Sequence, residues 1–276
     1  MKIEPQIVSA MGQDWNVAVL GDDDADRTLL LCNGIGASLD TVGPFVRHFK
    51  RTRLVVFDVP GVGGSPTPVL PYRFANLSRM LARVLDQLGI GKVDVFGVSW
   101  GGALAQQFVH DHQPRCRSMT LAATTAGAIM VPGRLGVIKK MATPKRYTDP
   151  DYLFSIAKDI YGGGIAFEQE LLKEHTLAMQ AGDTRGYIYQ LLAASGWTSY
   201  LWLRQIRIPA LILMGRDDPL VPPVNGRILA RRLPNATLET VDCGHLFMLT
   251  QAERIADRVE AFIHGDTMQE DAKAVG

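Results

Sequence analysis

The sequence is short of cysteine, of charge imbalance and of long apolar runs, and each shortage narrows what the chain can be. Its 276 residues include only three cysteines, Cys32, Cys116 and Cys243. They are widely spaced and odd in number, which argues against a disulfide framework and gives no zinc-ligand pattern. Lys and Arg number 29 against 28 Asp and Glu, a formal net charge of +1. That balance offers no electrostatic footprint for nucleic acid or an anionic membrane. No apolar run approaches the roughly 18–20 residues that span a bilayer. The opening Met1-Lys2-Ile3-Glu4-Pro5 lacks a basic segment followed by an apolar one, so no secretory signal is read there. The expectation is a reduced, cytoplasmic protein with no nucleic-acid partner and no transmembrane segment. The densest charge run, Asp22-Asp23-Asp24-Ala25-Asp26, lacks the Gly and distal Glu of a calcium loop and reads as a solvated turn.

What is present is a long alternation of strand-like and helix-like segments, the signature of a mostly parallel sheet. Residues 3–10 and 15–20 read as an opening hairpin. Strands follow at 28–33, 53–58, 92–98 and 118–123, with helices at 41–50, 74–88 and 100–112. The run at 28–33 is continuously apolar, as in a strand buried on both faces. From about residue 125 to 205 the rhythm breaks into helical patches rich in breakers, aromatics and methionine. This stretch reads as a helical cap inserted into a core formed by 1–124 and 206–265. The sheet resumes at 210–215, with a helix at 224–233, a strand at 237–241 and a last helix at 246–264. Residues 266–276 read as a flexible tail.

Three positions carry a chemical pattern. Gly97-Val98-Ser99-Trp100-Gly101 has glycines two residues either side of a serine. It follows an apolar strand and opens a helix, the setting in which a sharp turn pushes a serine hydroxyl out from the sheet edge. Ser99 is therefore the candidate nucleophile. A serine of ordinary pKa needs a general base, and that base needs a carboxylate to fix its tautomer. The expected chain order is serine, acid, histidine. After the strand at 210–215 come Asp217 and Asp218, and Asp218 is preferred because Pro219 follows it. Of six histidines, only His245 directly follows a late strand, in Cys243-Gly244-His245. His110 and His112 read as surface residues near a helix end, and His48, His175 and His264 show no partner pattern. Negative charge on the reacting carbonyl needs aimed N–H donors. Those of Trp100 and of Ile35, in Asn33-Gly34-Ile35-Gly36-Ala37, are the candidates for this oxyanion hole.

On these residues the chain resembles the α/β hydrolases over nearly its full length. More narrowly, it resembles the intracellular depolymerases of medium-chain-length polyhydroxyalkanoates. That resemblance rests on the segments just quoted and on Asp58-Val59-Pro60-Gly61-Val62-Gly63-Gly64-Ser65, Met130-Val131-Pro132-Gly133, Ile160-Tyr161-Gly162-Gly163, Gly196-Trp197-Thr198-Ser199 and Gly244-His245-Leu246-Phe247. It implies an α/β-hydrolase fold: a mostly parallel eight-stranded sheet with helices on both faces and a helical cap. It also implies cleavage of poly(3-hydroxyalkanoate) esters through an acyl-enzyme on Ser99, without metal or organic cofactor, and with Asp218 and His245 as acid and base. The substrate is then a polyester, met at a granule surface. Asn33, Met130, Val131 and Trp197 are the expected substrate-binding residues, the last three on an apolar channel under the cap. The rival reading is a small-molecule carboxylesterase or lipase with the same triad. A C–C bond hydrolase, a cofactor-free haloperoxidase and a catalytically idle granule-coat protein are further rivals.

Overall fold

The computed structural model describes residues 3–143, 145, 149–163, 169–179 and 183–266. The chain opens with a hairpin of β1 (Gln6–Ala10) and β2 (Gln13–Leu20). Its two-residue turn puts both Met11 and Gly12 at positive φ, the twist that suits paired antiparallel strands. Six more strands follow: β3 (Arg27–Cys32), β4 (Thr52–Phe57), β5 (Val93–Val98), β6 (Cys116–Ala122), β7 (Ala210–Gly215) and β8 (Ala236–Val241). The sheet order is β1-β2-β4-β3-β5-β6-β7-β8. β2 pairs antiparallel with both β1 and β4, and every other pairing is parallel.

Parallel strands need helical crossovers, and these cover both faces. Every residue of β5 and β7 is buried. Side chains alternate between two cores. Leu30, Val95 and Ile212 face one core, with Leu81 and Phe108. Leu29, Phe96 and Leu213 face the other, with Phe45 and Val259. The helices involved include α1 (Gly43–Val46), α2 (Phe74–Gln87), α3 (Trp100–Asp111) and the last helix, over Ala252–His264.

Between β6 and β7 lie α4 (Leu135–Ala142), α5 (Pro150–Tyr161), α6 (Gln169–Ala178) and α7 (Thr184–Ala194). Asp149 caps α5, its Oδ1 accepting from the Tyr152 N–H at 3.0 Å ahead of Pro150 in the first turn. Leu153, Ile156, Ile160, Leu172 and Tyr187 form a small core of this insert. Its base is closed where the Ala128 N–H donates to the Trp197 carbonyl at 2.7 Å and the Ser199 N–H to that of Ala126 at 3.0 Å. After β7 come α8 (Val224–Arg232), α9 (Phe247–Thr250) and α10 (Ala252–His264). Among the described residues no helix is long and apolar enough to cross a membrane.

Two expected helices differ. The stretch at 41–50 is a 3-10 turn over Leu39–Val42 followed by the single turn of α1, because Gly43-Pro44 restarts the helix. The last helix is broken at Gln251, whose φ and ψ are −127° and 40°. Tyr147 and Gly164 of the expected cap, and 267–276 of the expected tail, lie outside the described residues.

Candidate active site

Because β5, β7 and β8 run the same way, the loops leaving them gather at one edge of the sheet. Ser99 directly follows β5, Asp218 follows β7 and His245 follows β8. Ser99 has φ 53° and ψ −118°, a strained backbone for a residue with a side chain. Its surroundings impose that conformation. The Ser99 N–H donates to the Ala122 carbonyl at 2.9 Å, and the Ser99 carbonyl accepts from Thr124 Oγ1 at 2.7 Å. The flanking glycines make room for the turn. A Cβ on Gly101 would lie 2.1 Å from the Cys32 carbonyl oxygen, and one on Gly97 would lie 2.5 Å from that of Gly101. No larger residue fits at either place without moving backbone.

His245 Nδ1 lies 2.7 Å from Asp218 Oδ2, with both side chains almost fully buried. The other oxygen, Asp218 Oδ1, accepts from the Leu220 and Val221 N–H groups at 2.9 and 2.8 Å. One carboxylate oxygen is thus fixed by main chain while the other faces the imidazole. Asp217, by contrast, is exposed and its side chain has no such contact. The His245 N–H donates to the Tyr161 carbonyl at 2.6 Å, tying the loop to the end of α5. Ser99 and His245 line the same cavity.

The loop after β3 lies opposite. Ile35 lines the cavity with Ser99. Trp100 is the first residue of α3, so its N–H has no acceptor within the helix. Asn33 braces the loop: its Nδ2 donates to Thr41 Oγ1 at 2.8 Å and to the Ser38 carbonyl at 3.0 Å, and its Oδ1 accepts from the Gly34 N–H. Buried Asp58 also holds it, accepting from the Leu39 N–H at 2.6 Å. Burial pushes the Asp58 carboxyl above the usual carboxylate range, against the hydrogen bonds it accepts from Asn16, Gly64 and Leu39.

Two cavities meet at Ser99. The first, about 510 Å³ including the part open to solvent, is walled by Val42, Met179, Leu246, Met248 and Leu249 as well as by His245. The second is a groove of about 1030 Å³ measured the same way, walled by Phe74, Trp100, Met130, Trp197 and Leu220. Met141 borders both. Met130 and Trp197 therefore line a space that reaches Ser99. Val131 lines neither space; it is 41 % exposed, in an adjoining groove that Met130 also borders, with Tyr200 and Arg232. Its main chain is tied to the Asn225 side chain, which turns it away from Ser99.

Sequence reasoning missed two residues here. His175 is buried on α6 and lines the Ser99 cavity, 3.4 Å from Tyr161 Oη through Nε2. Gln190, fully buried on α7, links both halves of the expected oxyanion hole. Its Oε1 accepts from the Gly36 N–H at 2.8 Å, and its carbonyl accepts from Trp100 Nε1 at 2.8 Å. Neither stands in a recognisable motif; only their fall on the buried faces of helices pointed to them. His112, expected at the surface, is half-buried, and desolvation lowers its pKa. His110 stacks on Trp202 at 4.2 Å. Burial pushes the Cys32 thiol up, and that of Cys116 to about 12, which favours the neutral thiol in both.

The profile of the alpha/beta hydrolase fold matches residues 27–151 and 166–252. The chain belongs to the α/β-hydrolase family. This hydrolase is 51 % identical over 236 residues to a poly(3-hydroxyalkanoate) depolymerase from Ectopseudomonas oleovorans, covering 85 % of this chain and 83 % of that protein. It is 27 % identical over 253 residues to 3-oxoadipate enol-lactonase 2 from Acinetobacter baylyi, covering 89 % and 91 %. Among solved structures, the enol-lactonase of Burkholderia xenovorans LB400 superposes with a TM-score of 0.83 at 21 % identity, covering 94 % of the hydrolase and all of that chain. The hydrolase shares its fold with that enzyme.

Proposed function

We propose that the chain is a serine ester hydrolase that cleaves poly(3-hydroxyalkanoate) to 3-hydroxy fatty acids or short oligomers. The observation that carries the chemistry is the His245 Nδ1 to Asp218 Oδ2 contact of 2.7 Å in a cavity shared with the strained Ser99. The 51 % identical depolymerase and the two apolar spaces beside Ser99 support the polyester as substrate.

In this reading His245 Nε2 takes the Ser99 proton as Oγ attacks the ester carbonyl. The N–H groups of Ile35 and Trp100 receive the developing oxyanion. The carbon–oxygen bond breaks and His245 returns the proton to the departing 3-hydroxy oxygen. Water, deprotonated by the same imidazole, then attacks the acyl-enzyme and releases the acid. Asp218 keeps the proton on Nδ1 throughout, so that Nε2 is free to act.

Residues 125–205 act as the cap over a core of 1–124 and 206–265, and the enzyme works in the cytoplasm at a polymer granule. Exposed Val69 and Leu70, adjacent in the chain, support docking on an apolar surface. The test is release of 3-hydroxy acids from an emulsion of poly(3-hydroxyoctanoate), set beside turnover of p-nitrophenyl octanoate. Wild type should degrade both, and Ser99→Ala neither, with its melting temperature kept. Turnover of the soluble ester alone would make the chain a small-molecule carboxylesterase.

A further inference from the structure

A polyester chain has no main-chain donor. Each repeat offers an ester carbonyl as acceptor and an alkyl side chain. A groove that takes it needs apolar walls for the alkyl chain and a free donor for the carbonyl. An internal ester also carries repeats on both sides, so the spaces at Ser99 must open onto more room.

Met130 and Pro132 line the groove at Ser99 on its Trp100 side. Ile129 and Val131 line a second groove, and Met130 borders both. This second groove holds about 570 Å³, including the part open to solvent. Ile129 and Val131 are exposed in it, and Asn225 fixes their segment. The Asn225 side chain accepts from the Val131 N–H and donates to the Val131 carbonyl, each at 2.9 Å. Among the described residues no carboxylate lines the groove.

Its two arginines are used differently. Arg232 is committed: Nε and Nη2 donate to the Tyr200 carbonyl at 3.1 and 2.8 Å, and its guanidinium lies 4.0 Å from the Tyr200 ring centroid. The Arg231 guanidinium, exposed in the last turn of α8, has no acceptor among the described residues. Alkyl walls from Ile129, Val131 and Ile228 thus stand beside an unspent donor, with no carboxylate to compete for it.

The leaving oxygen takes its proton from His245, which lines only the other cavity at Ser99. The alcohol half of the ester lies on that side, and the acyl half in the groove that leads to Met130. We propose that the groove of Ile129, Val131, Ile228 and Arg231 is a subsite for the repeats beyond the acyl half, with Arg231 donating to an ester carbonyl and an alkyl side chain on the apolar wall. The inference rests on the polyester-hydrolase reading above. It adds binding and no chemical step.

The experiment uses p-nitrophenyl esters of 3-hydroxyoctanoate chains of one, two, three and four units, read by release of p-nitrophenolate, so that only the acyl side grows. Wild-type kcat/KM should rise by about tenfold or more from the one-unit to the four-unit ester, the size of a hydrogen bond from a charged group, through a falling KM. Arg231→Ala and Ile129→Asp should each flatten that rise. The ratio of long to short esters is the quantity read, because a variant that is merely less stable lowers all four rates alike. Both positions are exposed, so melting temperatures should stay near wild type. Equal wild-type rates at every length, with the one-unit ester hydrolysed, would overturn the subsite and leave the ester hydrolase standing. So would a rise that both variants keep in full. A flat profile, with a dimer in sedimentation that Ile129→Asp dissolves, would overturn it in favour of a second copy of the chain. Failure on all four esters would overturn both readings.

Discussion

The sheet core and the helical insert both border Ser99, but they hold it in different ways. The core works largely through main chain. Ser99 and Asp218 are pinned by backbone N–H and carbonyl groups, and the loop after β3 by the buried side chains of Asn33 and Asp58. The insert works mainly through side chains: Met141, Tyr161, His175 and Met179 on one side of Ser99, Trp197 on the other. Main-chain positioning is insensitive to side-chain change, whereas walls of side chains alter with each substitution. In the proposed reaction the core would therefore fix which chemistry is possible, and the insert which ester meets it. Gln190 crosses this division, since it comes from the insert yet braces both segments of the proposed oxyanion hole.

Changes in the core should be severe and indifferent to substrate. Asp218→Asn should lower kcat on p-nitrophenyl esters of every chain length by a factor on the order of 10⁴, because the amide favours the wrong imidazole tautomer. A loss that varied strongly with chain length would blur the division. Gly101→Ala should reduce stability to urea by about 1–3 kcal/mol, as the added methyl meets the Cys32 carbonyl. An unchanged denaturation midpoint would mean that the strand-to-helix turn is looser than its contacts indicate. Gln190→Leu should reduce kcat about tenfold with little change in KM, less than the roughly 10²–10³ lost when an oxyanion donor is itself removed. A pure KM effect would return Gln190 to the substrate wall. The smallest effect belongs to Arg216→Ala. Its partner Asp242 is exposed, so thermal unfolding should register less than about 1 kcal/mol.

The same division governs how much could be read from the residues alone. Core strands were legible because burial on both faces forces continuous apolar runs, as in residues 29–32 and 210–214. The serine turn was legible because its glycines answer a steric demand that leaves a fixed spacing. The preference for Asp218 over Asp217 came from Pro219, and in the fold the Asp218 carboxylate accepts from the Leu220 and Val221 N–H groups just beyond that proline. In the insert, position is set by contacts that leave no spacing rule. His175 and Gln190 reach the site across helices whose register depends on tertiary packing. Val131 lies outside the two spaces at Ser99, in a groove that Met130 also borders, with its main chain held by Asn225. The helix expected at 41–50 failed for a local reason, the Gly43-Pro44 restart, and the one at 246–264 at the Gln251 break.

The account depends first on a nucleophilic hydroxyl at Ser99. Incubating the folded enzyme with a fluorophosphonate and mapping the modified peptide by mass spectrometry tests that most directly. One adduct on Ser99, forming in step with loss of esterase activity and absent from His245→Ala, is the predicted result. Full loss of activity with Ser99 unmodified, or full labelling of Ser99 with ester turnover intact, would contradict it.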